Sequence, residues 1–153
     1  MIRFKTEQTV ERSAEDVWAY AADIRRHPQW MGVTSARIVS GEGTEVGARA
    51  MERMKVGPRS IEVGFEVSAS IPAQRIAWRV AGGAPMAGEV TLDLEALGPA
   101  RTRAVWSGWI GLTGLLRLIE PLMAGEIAKG EAAELLRLKE NLEATPVREA
   151  ATA

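Results

Sequence analysis

The stretch Ile61-Glu62-Val63-Gly64-Phe65-Glu66-Val67-Ser68-Ala69-Ser70-Ile71-Pro72-Ala73-Gln74-Arg75-Ile76-Ala77-Trp78-Arg79-Val80 decides the fold. Ile61, Val63, Phe65, Val67, Ala69 and Ile71 share one parity, and Glu62, Gly64, Glu66, Ser68 and Ser70 share the other. Successive strand side chains point to opposite faces, so this period of two predicts a strand with one buried and one wetted face. Pro72-Ala73 reads as a turn, after which Ile76, Trp78 and Val80 face inward and Arg75 and Arg79 outward. Two such strands joined by so short a turn are antiparallel neighbours, because a parallel pair needs a long crossover.

The same pattern extends in both directions. Towards the C-terminus, Val90, Leu92 and Leu94 alternate with Glu89, Thr91, Asp93 and Glu95. A Gly98-Pro99 turn leads to a strand with Thr102, Ala104, Trp106 and Gly108 on one face. Towards the N-terminus, residues 47–56 read as a strand closed by Gly57-Pro58, and 36–39 as a short one before the Gly41-Glu42-Gly43 turn. The first strand carries Ile2, Phe4, Thr6, Gln8 and Val10 on its inner face. Between it and the meander, Ser13 reads as an N-cap, with Glu15 and Asp16 in the first turn at the positive end of the helix dipole. Val17, Tyr20, Ala21 and Ile24 form that helix's apolar stripe, and His27-Pro28 ends or interrupts it.

From Leu112 the period becomes helical. Leu112, Leu115, Leu116, Ile119, Leu122, Met123 and Ile127 form one stripe, continued by Leu135, Leu138 and Leu142. Pro121 is expected to kink this helix or to start a new one within it. A stripe of that length is not stable in water, and the apolar face of the sheet is its partner. The chain is therefore read as α+β, with a curved antiparallel sheet of about seven strands, one or two short helices after the first strand, and a long C-terminal helix across the sheet. Residues 1–144 form one domain, and residues 145–153 a flexible tail.

Composition removes several functions. The 153 residues carry a net charge of -1 with scattered basic residues, so the electrostatic footprint of a nucleic-acid binder is missing. With no cysteine, thiol catalysis and thiolate metal sites are excluded, and the cytoplasm is the expected compartment. The greasiest run, residues 109–119, is too short and too interrupted for an integral membrane segment. One histidine and no Gly-x-Ser-x-Gly elbow argue against a hydrolase triad. No metal and no cofactor is expected.

Local motifs add a resemblance. They include Val10-Glu11-Arg12-Ser13-Ala14-Glu15-Asp16-Val17-Trp18, Asp23 followed by Pro28-Gln29-Trp30, and Val46-Gly47-Ala48-Arg49. Further along come Pro72-Ala73-Gln74-Arg75-Ile76-Ala77-Trp78, Thr102-Arg103-Ala104-Val105-Trp106 and Leu135-Leu136-Arg137-Leu138-Lys139-Glu140. In this order the chain resembles the START-like superfamily (SRPBCC), which includes polyketide cyclase/dehydrase-like and Bet v 1-like proteins, over residues 3–144. The resemblance implies the helix-grip fold, and a pocket where the bent sheet stands off the helix.

In such a pocket Trp30, Met54, Phe65, Val67, Trp78, Leu92, Trp106, Ile119, Met123 and Ile127 are the expected apolar lining, with Gln8 and Thr102 as polar companions. Gly125 and Gly130 in the helix leave room beneath it. If residues 47–56 alternate without a bulge, Glu52 shares a face with Ala48, Ala50, Met54 and Val56 and becomes a candidate acid or base. A bulge or the opposite parity places it in water beside Arg49 or Arg53, and that is the expected arrangement. His27, a proton shuttle on a sharper reading, is expected to be a plain helix-terminal residue. No inward set of Tyr, Arg, Ser and Asn, the array that cyclases of this superfamily typically use, is evident.

Three functions follow in order. The first is binding or transport of a small hydrophobic molecule, lipid-like or aromatic and polyketide-like. The second is a polyketide cyclase or dehydratase with Glu52 as base and Gln8 or Thr102 orienting a carbonyl. The third is a protein- or membrane-interaction module built on residues 112–127.

Overall fold

The structure, a computed structural model, describes residues 1–146. In chain order it contains β1 (Ile2–Val10), α1 (Ala14–Ala22), a 3-10 turn (Ile24–Arg26), α2 (His27–Trp30), β2 (Ser35–Ser40) and β3 (Arg49–Val56). There follow β4 (Arg59–Ile71), β5 (Arg75–Val80), β6 (Met86–Gly98), β7 (Arg101–Leu112), a 3-10 segment (Gly114–Ile119) and α3 (Glu120–Ala144). The seven strands form one antiparallel, curved sheet in the order β1-β7-β6-β5-β4-β3-β2. The first strand thus closes against the last, and α3 lies across the inner face, packed on β1. This is the helix-grip fold.

Local chemistry accounts for the boundaries. Ser13 caps α1, its Oγ accepting from the Asp16 amide at 3.2 Å. Pro28 occupies the first turn of α2 and Pro121 the first turn of α3, where a missing N–H costs nothing. The far end of α3 is tied down by Arg12, whose guanidinium donates to the carbonyls of Glu143 at 3.0 Å and Thr145 at 2.6 Å.

The core sits beneath the C-terminal half of α3. Leu135, Leu138 and Leu142 press on Val10, Val17, Ala21, Trp30, Leu92 and Trp106. At the other end the sheet bends sharply, and β6 and β7 approach so closely that two positions require glycine. A Cβ at Gly108 would overlap the Glu89 carbonyl oxygen, and one at Gly88 would come within 2.7 Å of the Trp109 carbonyl oxygen.

Three expectations are corrected. Leu112 is the end of β7, paired with Met86, and the helical part begins after it. Leu115 and Leu122 do not face the sheet; they are 85% and 82% exposed. The reason is a change of period. A 3-10 helix has about three residues per turn, so Leu116 and Ile119 line up on the inner side while Leu115 and Leu118 line up on the outer one. The third correction is Ile71, which is exposed because the β4–β5 register shifts between Val67 and Ala69. The extra residue, Ser68, inverts the parity beyond it.

Candidate functional site

The N-terminal half of α3 does not pack on the sheet. Between Glu120 and Leu135 no residue of the helix is fully buried, and a Cβ at Gly125 or Gly130 would have no atom within 4 Å. The space left is a cavity of about 480 Å³, within the range of small-molecule sites. Its floor is formed by Met54, Phe65, Trp78, Val90, Trp106 and Ile110 from β3 to β7. Its roof is formed by Leu116, Ile119, Met123, Ile127 and Gly130. Lys55, Val56, Pro85 and Met86 lie at the ends of strands around it. Leu115, Leu118 and Leu122 project from the outside of the roof into solvent.

One wall is polar. Glu52, 3% exposed, lies on the inner face of β3 with regular pairing to Val63 and Ala36, so no bulge turns it outward. The expectation that it sits in water is therefore overturned. His27 is equally buried and contacts Glu52 through Nδ1, and it is not a plain helix-terminal residue. Its Nε2 lies 3.2 Å from the Ala21 carbonyl oxygen. A carbonyl only accepts, so Nε2 carries a proton and donates; one further proton then lies between Nδ1 and the carboxyl, and the pair is neutral as a unit. Trp30 and Trp78 hold the imidazole edge-to-face, with ring centroids at 5.8 Å and 4.9 Å.

Beside this pair, α3 contributes Glu131 and Glu134. Glu131 Oε2 accepts from Trp106 Nε1 at 2.7 Å, and Glu134 Oε1 accepts from the Gly32 amide at 2.7 Å. Burial raises both carboxyls above the ordinary range; for Glu131 the Trp106 hydrogen bond opposes the rise. Glu134 is pushed up to about 8, by burial first and then by the adjacent Glu131 charge, against the opposing pull of the Gly32 N–H and Arg137. At neutral pH the two carboxyls therefore hold one proton between them. Among the described residues no group of three or more His, Asp and Glu converges as a metal site requires.

The expected lining residues divide into two groups. Met54, Phe65, Trp78, Trp106, Ile119, Met123 and Ile127 are brought together around the cavity. Trp30, Val67 and Leu92 lie instead in the packed core. The bent sheet stands off only at one end, so inward parity alone does not bring a side chain to the cavity. Thr102 is buried with its hydroxyl donating to the Arg12 carbonyl at 2.8 Å, and Gln8 is half-buried on β1 opposite Ala104; neither lines the cavity.

Sequence reasoning misses Glu131 and Glu134, although a signal exists. Ile127, Glu131, Glu134 and Leu138 follow one another at helical spacings of four, three and four. The two glutamates therefore sit on the apolar stripe itself, where a charge is costly.

Comparison with known proteins places the chain. Residues 1–143 match the family described as "Polyketide cyclase / dehydrase and lipid transport", and the chain belongs to that family. Among solved structures, the ZhuI aromatase/cyclase from Streptomyces sp. R1128 superposes with a TM-score of 0.77 at 14% identity, covering 92% of this chain and 93% of that one. A START superfamily protein from Mycobacterium smegmatis gives 0.74 at 18% identity, covering 93% and 99%. A protein from Thermus thermophilus gives 0.77 at 20% identity, covering 93% and 97%. At these identities the likeness is one of fold. No curated protein matches the sequence. Family and fold support a hydrophobic-ligand or cyclase role in coarse terms, and no helix among the described residues is long and apolar enough to cross a membrane.

Proposed function

We propose that the chain binds a small, mainly apolar molecule in the cavity between the sheet and the N-terminal half of α3, as a cytoplasmic carrier or sensor. The observation that supports this reading is the cavity of about 480 Å³ with Phe65, Trp78 and Trp106 on its floor. Flat aromatic surfaces suit a planar apolar guest. A helix that forgoes full burial over nearly four turns gives up stability that a filled core would retain, which is reasonable where a guest completes the packing. Titration of tryptophan fluorescence with a panel of hydrophobic compounds, alongside native mass spectrometry, tests it. Saturable quenching with 1:1 stoichiometry is expected. A Gly130→Phe variant, which fills the roof, is expected to lose binding while remaining folded. Retained binding in that variant would move the site elsewhere.

A second reading is favoured by the buried Glu52–His27 pair. A carboxyl coupled to an imidazole at a cavity wall suits proton transfer in a dehydratase or cyclase acting on a carbonyl compound. Given a substrate, Glu52→Gln is expected to reduce turnover by about 10²-fold or more with little change in substrate affinity. Full turnover in that variant would leave the cavity as a binding site only.

A further inference from the structure

The chemistry of the polar wall specifies the head group of the guest. Three of the hydrogen-bond donors beside it are already engaged. Trp106 Nε1 is held by Glu131, His27 spans Glu52 and the Ala21 carbonyl, and the Gly32 amide is held by Glu134. The Trp78 indole N–H is buried without a partner. Lys55 stands at the rim, exposed. The polar groups that this wall contributes to the cavity are therefore mainly carboxyl oxygens, from Glu52, Glu131 and Glu134. Glu52 is only 3% exposed, and of its two oxygens only Oε1 is engaged, by His27. Its second oxygen takes no hydrogen bond from the described residues.

The carboxyls and the aromatic rings form one continuous surface. His27, joined to Glu52, stands against Trp78 at 4.9 Å; Trp78 lies 6.3 Å from Trp106, whose N–H reaches Glu131. Phe65 completes the aromatic floor. A guest presenting a carbonyl or carboxylate to this wall meets acceptors and negative charge. A guest presenting a cation meets acceptors and negative charge beside aromatic side chains.

We infer that the cavity selects an apolar molecule with a positively charged head, an amine or quaternary ammonium, seated among Glu52, Glu131, Glu134, Trp78 and Trp106. This rests on the binding reading above and names its ligand class. Arg137 supplies part of the counter-charge to the half-buried Glu131–Glu134 pair from the exposed side, where its Nε donates to the Trp30 carbonyl at 2.9 Å, and the ammonium adds a second positive charge from the cavity side.

Three compounds with one body test the inference: 2-(1-naphthyl)ethyl-trimethylammonium, 2-(1-naphthyl)ethanol and 1-naphthylacetate, titrated calorimetrically into the wild-type protein. The ammonium is expected to bind about tenfold or more tightly than the alcohol, and the carboxylate more weakly than either. The Glu131→Gln/Glu134→Gln variant is expected to lose that preference, the ammonium then binding no more tightly than the alcohol. The ammonium's charge does not titrate, so wild-type affinity is also expected to rise as the pH passes through about 8, where Glu134 ionises. The other charged groups facing this region are Glu52 with His27, Lys55, Glu89 and Arg137. The wild-type series decides the question even if the double variant does not fold. Equal binding of ammonium and alcohol overturns the inference and leaves the cavity a neutral apolar site. Tightest binding of the carboxylate overturns it in favour of Lys55. Binding of none of the three overturns both this inference and the proposed function.

Discussion

Replacing Glu52 by leucine and by glutamine separates a buried proton-sharing pair from mere packing. Glu52 and His27 are 3% and 1% exposed, so neither is rescued by solvent from outside. Leucine has a similar bulk but no acceptor, and it strands Nδ1 of an imidazole whose Nε2 is committed to the Ala21 carbonyl. Breaking a buried pair from one side costs about 3–5 kcal/mol, a large part of the roughly 5–15 kcal/mol that holds such a domain together. With a urea slope of about 2 kcal/mol per molar, the midpoint falls by about 2 M. Glutamine behaves differently. Its amide donates to Nδ1 of a neutral imidazole while Nε2–H still reaches Ala21, so the loss is about 1 kcal/mol and the midpoint falls by about 0.5 M. The double variant His27→Phe/Glu52→Leu replaces the pair by apolar groups and is expected to recover most of the leucine loss. Equilibrium urea unfolding followed by circular dichroism reads all four proteins. Equal losses for leucine and glutamine, or a double variant no better than Glu52→Leu, would refute the reasoning.

Three further outcomes follow from the same geometry. Gly125→Ala and Gly130→Ala are each expected to raise stability by about 0.5–1 kcal/mol through helix propensity, since a Cβ meets open space at both. Only Gly130→Ala, which lines the cavity, is expected to weaken guest binding; equal weakening by both would place the guest elsewhere. For Glu134 the sign is destabilising with rising pH. Its carboxyl ionises near its ordinary 4.5 when unfolded and at about 8 when folded, so the folded state holds the extra proton and stability falls between those values. Glu134→Gln is expected to flatten that slope in thermal melts taken from pH 5 to 9 and to be the more stable protein at the alkaline end. A wild-type curve that rises over this range would contradict the assignment. Leu138→Ala is expected to cost about 2–5 kcal/mol, whereas Leu118→Ala, at a side chain 79% exposed, is expected to change stability by less than about 0.5 kcal/mol. Comparable losses at both would mean that the 3-10 segment presents its other side to the sheet.

Much of the architecture is legible in the sequence because strand parity is a local property. The alternation in residues 61–67, 76–80 and 90–94 follows directly from side chains that must choose between core and water, and the structure places these strands side by side. Parity becomes unreliable where something non-local intervenes. At Ser68 one extra residue enters β4 opposite β5, and Ile71 emerges on the wet side although its residue type favours the core. Leu115 falls where a 3.6-residue period gives the wrong face, because the chain there winds at about three residues per turn and turns it outward. Neither change is written in the identity of the residues concerned; each depends on what the neighbouring strand or helix requires.

Most of the apolar lining of the candidate site is legible too, whereas its polar wall is not, for a different reason. Glu52 shares the inner face with Ala50 and Met54 only if residues 47–56 run without a bulge, and register is not written in the residues themselves, so it is expected in water beside Arg49 or Arg53. Its partner is the lone histidine 25 positions away, delivered by α2, and only the folded chain brings the two together. Glu131 and Glu134 carry a stronger local signal, since they interrupt the stripe that runs from Ile127 to Leu138. Positions where a residue violates the pattern around it are where a fold gives up stability for chemistry. Here three such violations, on β3 and α3, line the same cavity. Their convergence distinguishes the arrangement from scattered tolerated charges, because three independent departures from the apolar pattern have no packing reason to meet. A carrier for a wholly apolar molecule would gain from leucine at each of these positions. The carboxyls are intelligible if the guest has a polar end and that end is the one the protein recognises.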